Sequence, residues 1–510
     1  MKLYKIIFAF LTAFVLLAVC ACGAVDDPEP KTMVLKSAGN AMEIAPGETL
    51  QFDVYEDSQK LSGAEFSVVS GPASINSGSG LLTCSASAED GAVIKVRAVL
   101  TGYECDDFSL TVEIPEETGP VSTLFGIGEP LAPFTASAVN KCTTDRAIDL
   151  MRAMGVKSYR TWIDISIFEN YSANMPLAET GSISFGTVAA CNQVLIKMKK
   201  AGIAEIIGHG LLFPRVTSTV KGTSTDALRM VPRRNDPDYG EFLLKIEKFY
   251  YSLSSNFPLI TVWEVGNENN SPDFMKPPSG ADFTEDESAA IVTDILYYAT
   301  RGVKAGNPNA ITINPGWSPY YNQATGLVNV KNYHAKLYTN INSGNFPSAG
   351  GAEKSINSRD YFQGAAWHPY YYFASNDRAP DATWKAQNDA IYQLMVDNGD
   401  GDLPVFFTEV GFTSGAGGAY NPTLEETQAG FYQAMFDLVA EMPYVKTVNT
   451  FRLFECGADA SWGGQGEVKY GLFREPVNGE SGFVPNPKGL ALQQVYGGIG
   501  NLNMYAGILE

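Results

Sequence analysis

Two glutamates end apolar runs that lie far apart in the chain. One run reads Thr261-Val262-Trp263-Glu264-Val265-Gly266-Asn267-Glu268, the other Val405-Phe406-Phe407-Thr408-Glu409-Val410-Gly411. A carboxyl group at the end of an apolar segment is partly desolvated, and a second negative charge nearby separates the two pKa values. One acid kept protonated beside one carboxylate kept ionised is what cleavage of a glycosidic bond requires. Glu264, four residues before Glu268 and mid-strand, is expected to face a different environment and not to be the acid.

The chain has three histidines. His209 ends Ile206-Ile207-Gly208-His209, and His368 falls in Ala366-Trp367-His368-Pro369-Tyr370. An isolated histidine is ordinarily a hydrogen-bonded structural residue; two of three at apolar-run ends favours a functional placement. His334, in a helical stretch, is expected at the surface. A zinc site needs three protein ligands converging, and these ends offer two histidines among carboxylates, so neither a metal nor another cofactor is expected. Arg160, in Tyr159-Arg160-Thr161-Trp162, either forms a structural ion pair or serves the site. Aromatic faces near run ends can stack on sugar rings or simply fill a core. Trp162, Trp317 and Trp367 are the platform candidates, the Tyr370-Tyr371-Tyr372 run adds further faces, and Trp263 reads as core.

Elements that alternate between strand and helix must position these groups. Strands are expected at Leu124–Glu129, Ser158–Ile165, Glu205–Leu212, Thr261–Gly266, Ala310–Asn314, Gly364–His368, Val405–Glu409 and Thr447–Phe454. Between them, Ala147, Leu150, Met151 and Met154 recur at helical spacing, as do Cys191, Val194, Leu195 and Met198. Thr284-x-x-Glu287 and Thr423-x-x-Glu426 read as capping boxes, and residues 487–496 as the last helix. Eight strands and eight helices over about 390 residues predict an α/β chain folded as a (β/α)8 TIM barrel. A doubly wound open sheet is the competing architecture, but Phe125-Gly126-Ile127-Gly128-Glu129-Pro130 lacks the later glycine of a phosphate loop. In a barrel, reactive groups gather at the C-terminal ends of the strands.

Asn267-Glu268 closing the fourth strand and Glu409 closing the seventh resemble the clan A glycoside hydrolases, which include the family 5 and family 39 enzymes, over roughly 121–510. The resemblance implies Glu268 as general acid/base, Glu409 as nucleophile and Asn267 as the partner of the sugar 2-hydroxyl. It implies that Arg160 hydrogen-bonds the nucleophile, and that His209, His368 and Tyr370 line the subsite where the bond breaks. Many members end the eighth strand with a tryptophan under the sugar. Here that stretch reads Asn449-Thr450-Phe451-Arg452-Leu453-Phe454-Glu455, so Trp462 or Phe454 is expected to take the role.

The 510 residues carry Lys+Arg 36 and Asp+Glu 56, a net charge of −20, which argues against nucleic acid as partner. Lys2 and Lys5 precede an apolar run from Ile6 to Val19, too short to span a bilayer and suited to a secretory signal. Val19-Cys20-Ala21-Cys22-Gly23 resembles a bacterial lipoprotein processing site, with residues 1–21 removed and Cys22 lipidated. Cys20 is the runner-up, and an unlipidated signal peptide the plain alternative. Losing Lys2 and Lys5 leaves the mature chain near −22. A tether over 22–32 is expected, followed by short alternating strands over 33–115 that resemble bacterial immunoglobulin-like sandwiches. That unit serves as a spacer or binds carbohydrate. Cys84 and Cys105 could bridge within it. Pro115-Glu116-Glu117-Thr118-Gly119-Pro120 reads as a linker, placed at 116–120. The expectation is an exported, lipid-anchored, monomeric retaining β-glycosidase acting on a β-glycan; the alternative is a non-catalytic glycan-binding lipoprotein on the same barrel. Loops at Val216–Asp238 and Gly344–Asp360 would decide between cleft and pocket.

Overall fold

The computed structural model describes residues 31–502, except 39–40, 45–48, 57–58, 86–87, 90, 113–122, 135–142, 164–184, 211–228, 320–325, 345–354, 371–378, 414–421, 456–469, 475–483 and 499–501. The leader, Cys22, the linker, Trp462, Tyr371 and Tyr372 fall outside the described residues, as does much of both long loops. The chain divides into two compact units between Glu117 and Thr118.

Among its described residues the N-terminal unit is built of β-strands. Of its two larger sheets, one orders Glu43–Ile44, Phe108–Val112, Val93–Val99 and Glu65–Ser70; the other orders Val34–Ser37, Thr49–Glu56, Leu81–Cys84 and Ala73–Ile75, with Gln59–Lys60 beside Thr49–Glu56, and Lys31–Thr32 pairs separately with Tyr103–Glu104. Alternation decides which side chains meet. In Val93–Val99, Ile94, Val96 and Ala98 are buried while the residues between them are exposed. They share one core with Leu35, Phe52, Leu82 and Leu110, drawn from both sheets. Cys84 and Cys105 are free thiols.

The second unit repeats strand and helix eight times: β1 (Leu124–Gly128), α1 (Thr144–Met154), β2 (Ser158–Trp162), α2 (Phe185–Lys200), β3 (Glu205–His209), α3 (Tyr239–Asn256), β4 (Val262–Glu264), α4 (Glu285–Gly306), β5 (Ile311–Ile313), α5 (Gly326–Ser343), β6 (Ala365–Trp367), α6 (Ala382–Asp397), β7 (Val405–Val410), α7 (Pro422–Val439), β8 (Val445–Phe451) and α8 (Pro487–Tyr496). The strands pair in parallel in the order β5-β4-β3-β2-β1-β8-β7-β6. Single parallel bridges, Ile313 to Gly364 and Trp317 to Trp367, join the remaining edges. The result is a nearly closed eight-stranded barrel wrapped by helices.

Strands buried on both faces are apolar throughout, because one face packs on helices and the other fills the barrel. Ile207, Val262, Ile313, Ala366 and Phe406 form the inner plug. Outward-facing Tyr159 and Ile206 share the outer core with the helical stripes of Leu150, Met151, Cys191 and Leu195, and Phe407 packs against Trp367 and Trp384. A buried ion pair braces the ends of β1 and β8, the first and last strands: Arg452 Nη2 donates to Glu129 Oε1 at 2.6 Å, and the Leu453 N–H donates to Glu129 Oε2 at 2.9 Å.

Helix α4 opens with a complete capping box, Thr284 and Glu287 each satisfying the other's backbone. Helix α7 differs from expectation. It begins at Pro422, so Thr423 lies inside the first turn and not at the cap, and proline's fixed φ suits that start. Strand β8 also runs earlier than expected, from Val445 to Phe451. No helix among the described residues is long and apolar enough to cross a membrane.

Candidate active site

Period-two alternation carries Ser158, Arg160 and Trp162 on one face of β2, and Val262 and Glu264 on one face of β4. Because Val262 fills the barrel plug, Glu264 points into the barrel directly above it. Arg160 and Glu264 are fully buried there. Glu264, expected in a separate environment, shares Arg160 with the strand-end Glu409 and lies 3.9 Å from the His368 ring that bonds Glu268. Arg160 Nε donates to Glu264 Oε2 at 2.6 Å and Nη2 donates to Oε1 at 3.1 Å. The same guanidinium donates to Asn267 Oδ1 at 2.6 Å and to Glu409 Oε2 at 2.9 Å.

Regular geometry does not aim the two outer carboxylates. Phe407 pairs with Val448 and Val410 with Thr450, so β7 spends three residues where β8 spends two. This bulge interrupts the alternation at Thr408 and Glu409, and both side chains reach the interior network. Glu268 follows the end of β4 with φ of 47°, the only non-glycine residue in the left-handed region among those described. Such a conformation costs a glutamate roughly 1–3 kcal/mol and persists only where surrounding contacts hold it. Its N–H donates to Gly316 O at 3.1 Å, fastening the turn to the end of β5.

One carboxylate oxygen each of Glu268 and Glu409 and a ring nitrogen of His368 lie within 4.8 Å of one another. The side chains of both glutamates are 14% exposed, whereas Arg160, Glu264 and His368 are sealed. The outer pair therefore faces the mouth, above a charged floor.

The partners of the two glutamates differ. Glu409 accepts from Arg160 on Oε2 and from the Tyr370 hydroxyl on Oε1, at 2.9 and 2.8 Å. Glu268 Oε1 meets His368 Nδ1 at 2.6 Å. Burial raises the Glu268 carboxyl above its ordinary pKa, against the pull of His368. Burial would lower His368, but the charge of Glu409, the nearby Glu264 carboxylate and the bond to Glu268 carry it to about 9. Burial also acts to raise Glu264, yet the Arg160 charge and His368 overcome it and hold that carboxyl well below the usual range. His209, fully buried at the end of β3, is pushed well below its ordinary value by burial and then by Arg160, so its ring is neutral. With Arg160 and a protonated His368 already on these carboxylates, two fixed positive charges confront any cation entering between them.

Aromatic placement departs from expectation. Trp162 is half-buried, edge-on to His209, and packs against a small cluster of Tyr370, Phe451 and Tyr470. Trp317 is fully buried, packed on Tyr333, with its indole N–H donated to His334 Nδ1 at 3.0 Å. It has no face for a sugar. His334 is correspondingly buried, not at the surface. Trp367 is also core, bonded through Nε1 to Asn388. Phe454 is buried against Phe473 and does not reach the mouth. The aromatic residue that ends β8 beside Tyr370 is Phe451; reading the strand as starting at Thr447 placed its end three residues too late.

No protein-family model matches the chain, and no curated protein does. Solved structures match by fold. A Ruminococcus gnavus β-glucuronidase superposes with TM-score 0.50 at 12% identity, over 92% of this chain and 69% of that one. A Dictyoglomus thermophilum β-D-glucuronidase gives 0.49 at 11%, over 92% and 68%. The β-glycosidase BGL167 gives 0.46 at 13%, over 74% and 97%.

Proposed function

We propose that this chain is a retaining β-glycosidase that hydrolyses a β-linked glycan by double displacement. The observation that carries the reading is the approach of Glu268 and Glu409, oxygens within 4.8 Å, from opposite sides of one barrel mouth. Inverting enzymes separate their carboxyl groups by about 6.5–9.5 Å to admit a water; retaining ones hold them about 5–5.5 Å apart.

Each residue then has a task. Glu409, steadied by Arg160 and Tyr370, attacks the anomeric carbon while Glu268 gives its proton to the departing glycosidic oxygen. His368, bonded to Glu268, stabilises the carboxylate left behind. Glu268 next takes a proton from water, whose oxygen attacks the same carbon and releases Glu409. Arg160 faces Asn267 Oδ1, so the Nδ2 donor is what Asn267 presents to the sugar 2-hydroxyl. Trp162 and Phe451 supply apolar surface at the mouth.

Cys22 serves as a lipid anchor in this reading and the N-terminal unit as an immunoglobulin-like spacer, the whole exported as a monomer. The leader sequence and the two-sheet core support those assignments.

The test is a panel of 4-nitrophenyl β-glycosides and plant and microbial β-glycans, with the first-formed anomer followed by proton NMR. Release of a β-configured product is the expected result. Affinity without any released reducing end would replace the enzyme with a glycan-binding lipoprotein. Retention of Cys22→Ser protein in the membrane fraction would remove the anchor.

A further inference from the structure

We infer that Glu264 is a positioning residue of this active site, the clamp that fixes Arg160 and thereby aims Glu409 and Asn267. The kinetic side of this inference rests on the glycosidase reading; the electrostatic side needs no substrate.

A guanidinium is a rigid fork, so fixing one edge fixes the direction of every other N–H. Glu264 takes the Nε–Nη2 edge of Arg160 side-on. What remains can point only where it is found, Nη2 to Asn267 and Nη1 to Glu409. Glu264 is itself immobilised. Its Oε1 also accepts from the Gly316 N–H at 2.8 Å and the Thr408 hydroxyl at 3.1 Å, and lies 3.9 Å from His368 Nε2. One carboxylate thus joins the ends of β2, β4, β5, β6 and β7. Gly316 is suited to this approach, since a Cβ there would lie 2.1 Å from His368 Nε2 and 2.6 Å from Thr408 Oγ1.

The groups surrounding Glu264 are Arg160 on β2, His209 opposite it on β3, Glu268 beyond β4, His368 beyond β6, Thr408 and Glu409 on β7, and Tyr250 on α3. Two cations, Arg160 and His368, are balanced there by Glu264 and Glu409. Without the Glu264 charge, Glu409 alone answers both. Arg160 is then free to turn its side-on edge to Glu409 and occupy the lone pair that attacks the sugar.

The experiment compares Glu264→Gln and Glu264→Asp with the wild type. It reads kcat and KM on the 4-nitrophenyl glycoside that the wild type cleaves fastest, and ring-nitrogen NMR titration of the histidines, of which the chain has three. Glu264→Gln is expected to lower kcat by about 100-fold, the cost of an ångström-scale misplacement, with KM nearly unchanged. The His368 midpoint should fall from about 9. Glu264→Asp keeps the charge, and should restore the midpoint but only part of kcat. Wild-type kcat and an unmoved midpoint in Glu264→Gln would reduce Glu264 to packing. Should Glu264→Gln not fold, wild-type kcat in Glu264→Asp overturns the inference. Should the wild type cleave nothing, the glycosidase reading fails while the midpoint still decides this one.

Discussion

His368 Nδ1 lies 2.6 Å from Oε1 of Glu268 and 4.0 Å from Oε2 of Glu409. The imidazole thus joins the proposed acid but only neighbours the proposed nucleophile, an asymmetry that fits the different work proposed for two chemically identical side chains. Burial raises Glu268 and the surrounding carboxylates carry His368 to about 9, so the pair shares at least one proton at neutral pH.

The pH dependence follows from that pair. Activity should fall on the basic side as the pair deprotonates, with His368 titrating near 9. In Glu268→Gln, assayed on an activated aryl glycoside, that basic limb should disappear. The folded-state pKa of His368 lies above its unfolded value, so its contribution to stability is complete below about 6.5 and lost as pH rises through about 9. Urea midpoints at pH 6 and pH 10, compared between wild type and His368→Phe, measure it.

Removing the proposed nucleophile should stop turnover. Glu409→Ala is expected to lose on the order of 10⁴-fold or more in kcat, and azide should restore reaction as a glycosyl azide of inverted configuration. Wild-type rates in this variant would end the assignment.

Glu268→Ala should separate substrates by leaving group. Natural glycosides, which need protonation, should slow by about 10²–10⁴-fold, and 4-nitrophenyl glycosides far less. Equal losses on both would deny Glu268 its acid role.

Tyr370→Phe deletes one of the two donors on Glu409. A hydrogen bond to a charged group is worth about 1.5–3 kcal/mol, or roughly 10–100-fold in rate. Stopped-flow measurement of the first half-reaction should place the loss in glycosylation.

Glu129→Ala tests the seam of the barrel. It removes the carboxylate that bonds both the fully buried Arg452 guanidinium and the Leu453 N–H at the ends of β1 and β8, and breaking such a buried pair should cost about 3–5 kcal/mol of stability. Denaturant unfolding reads this directly. A change under 1 kcal/mol would mean the seam holds without the pair.

Much of this arrangement is legible in residue type and period. The apolar runs and helical stripes specify eight strands and eight helices in order, because burial on both faces of a parallel strand demands such runs. The same logic puts Arg160, His209, Asn267, Glu268, His368, Tyr370 and Glu409 at the strand ends on the site side of the barrel. Periodicity cannot aim them. Glu409 turns inward through one extra residue opposite β8, and Glu268 is held at positive φ by the end of β5. Neither feature has a local signature, since each is imposed by a neighbouring strand distant in sequence. Glu264 looks detached because four residues separate it from Glu268; Gly266, with φ of 98°, turns the chain between them, and Arg160 bonds both Glu264 and Asn267. Trp317 and His334 each read as surface or platform alone, and only helix α5 folding over β5 makes them a buried pair. Composition and alternation determined which groups come to the mouth, while long-range packing decided which of them face one another, because direction at a strand end depends on contacts the local chain does not contain.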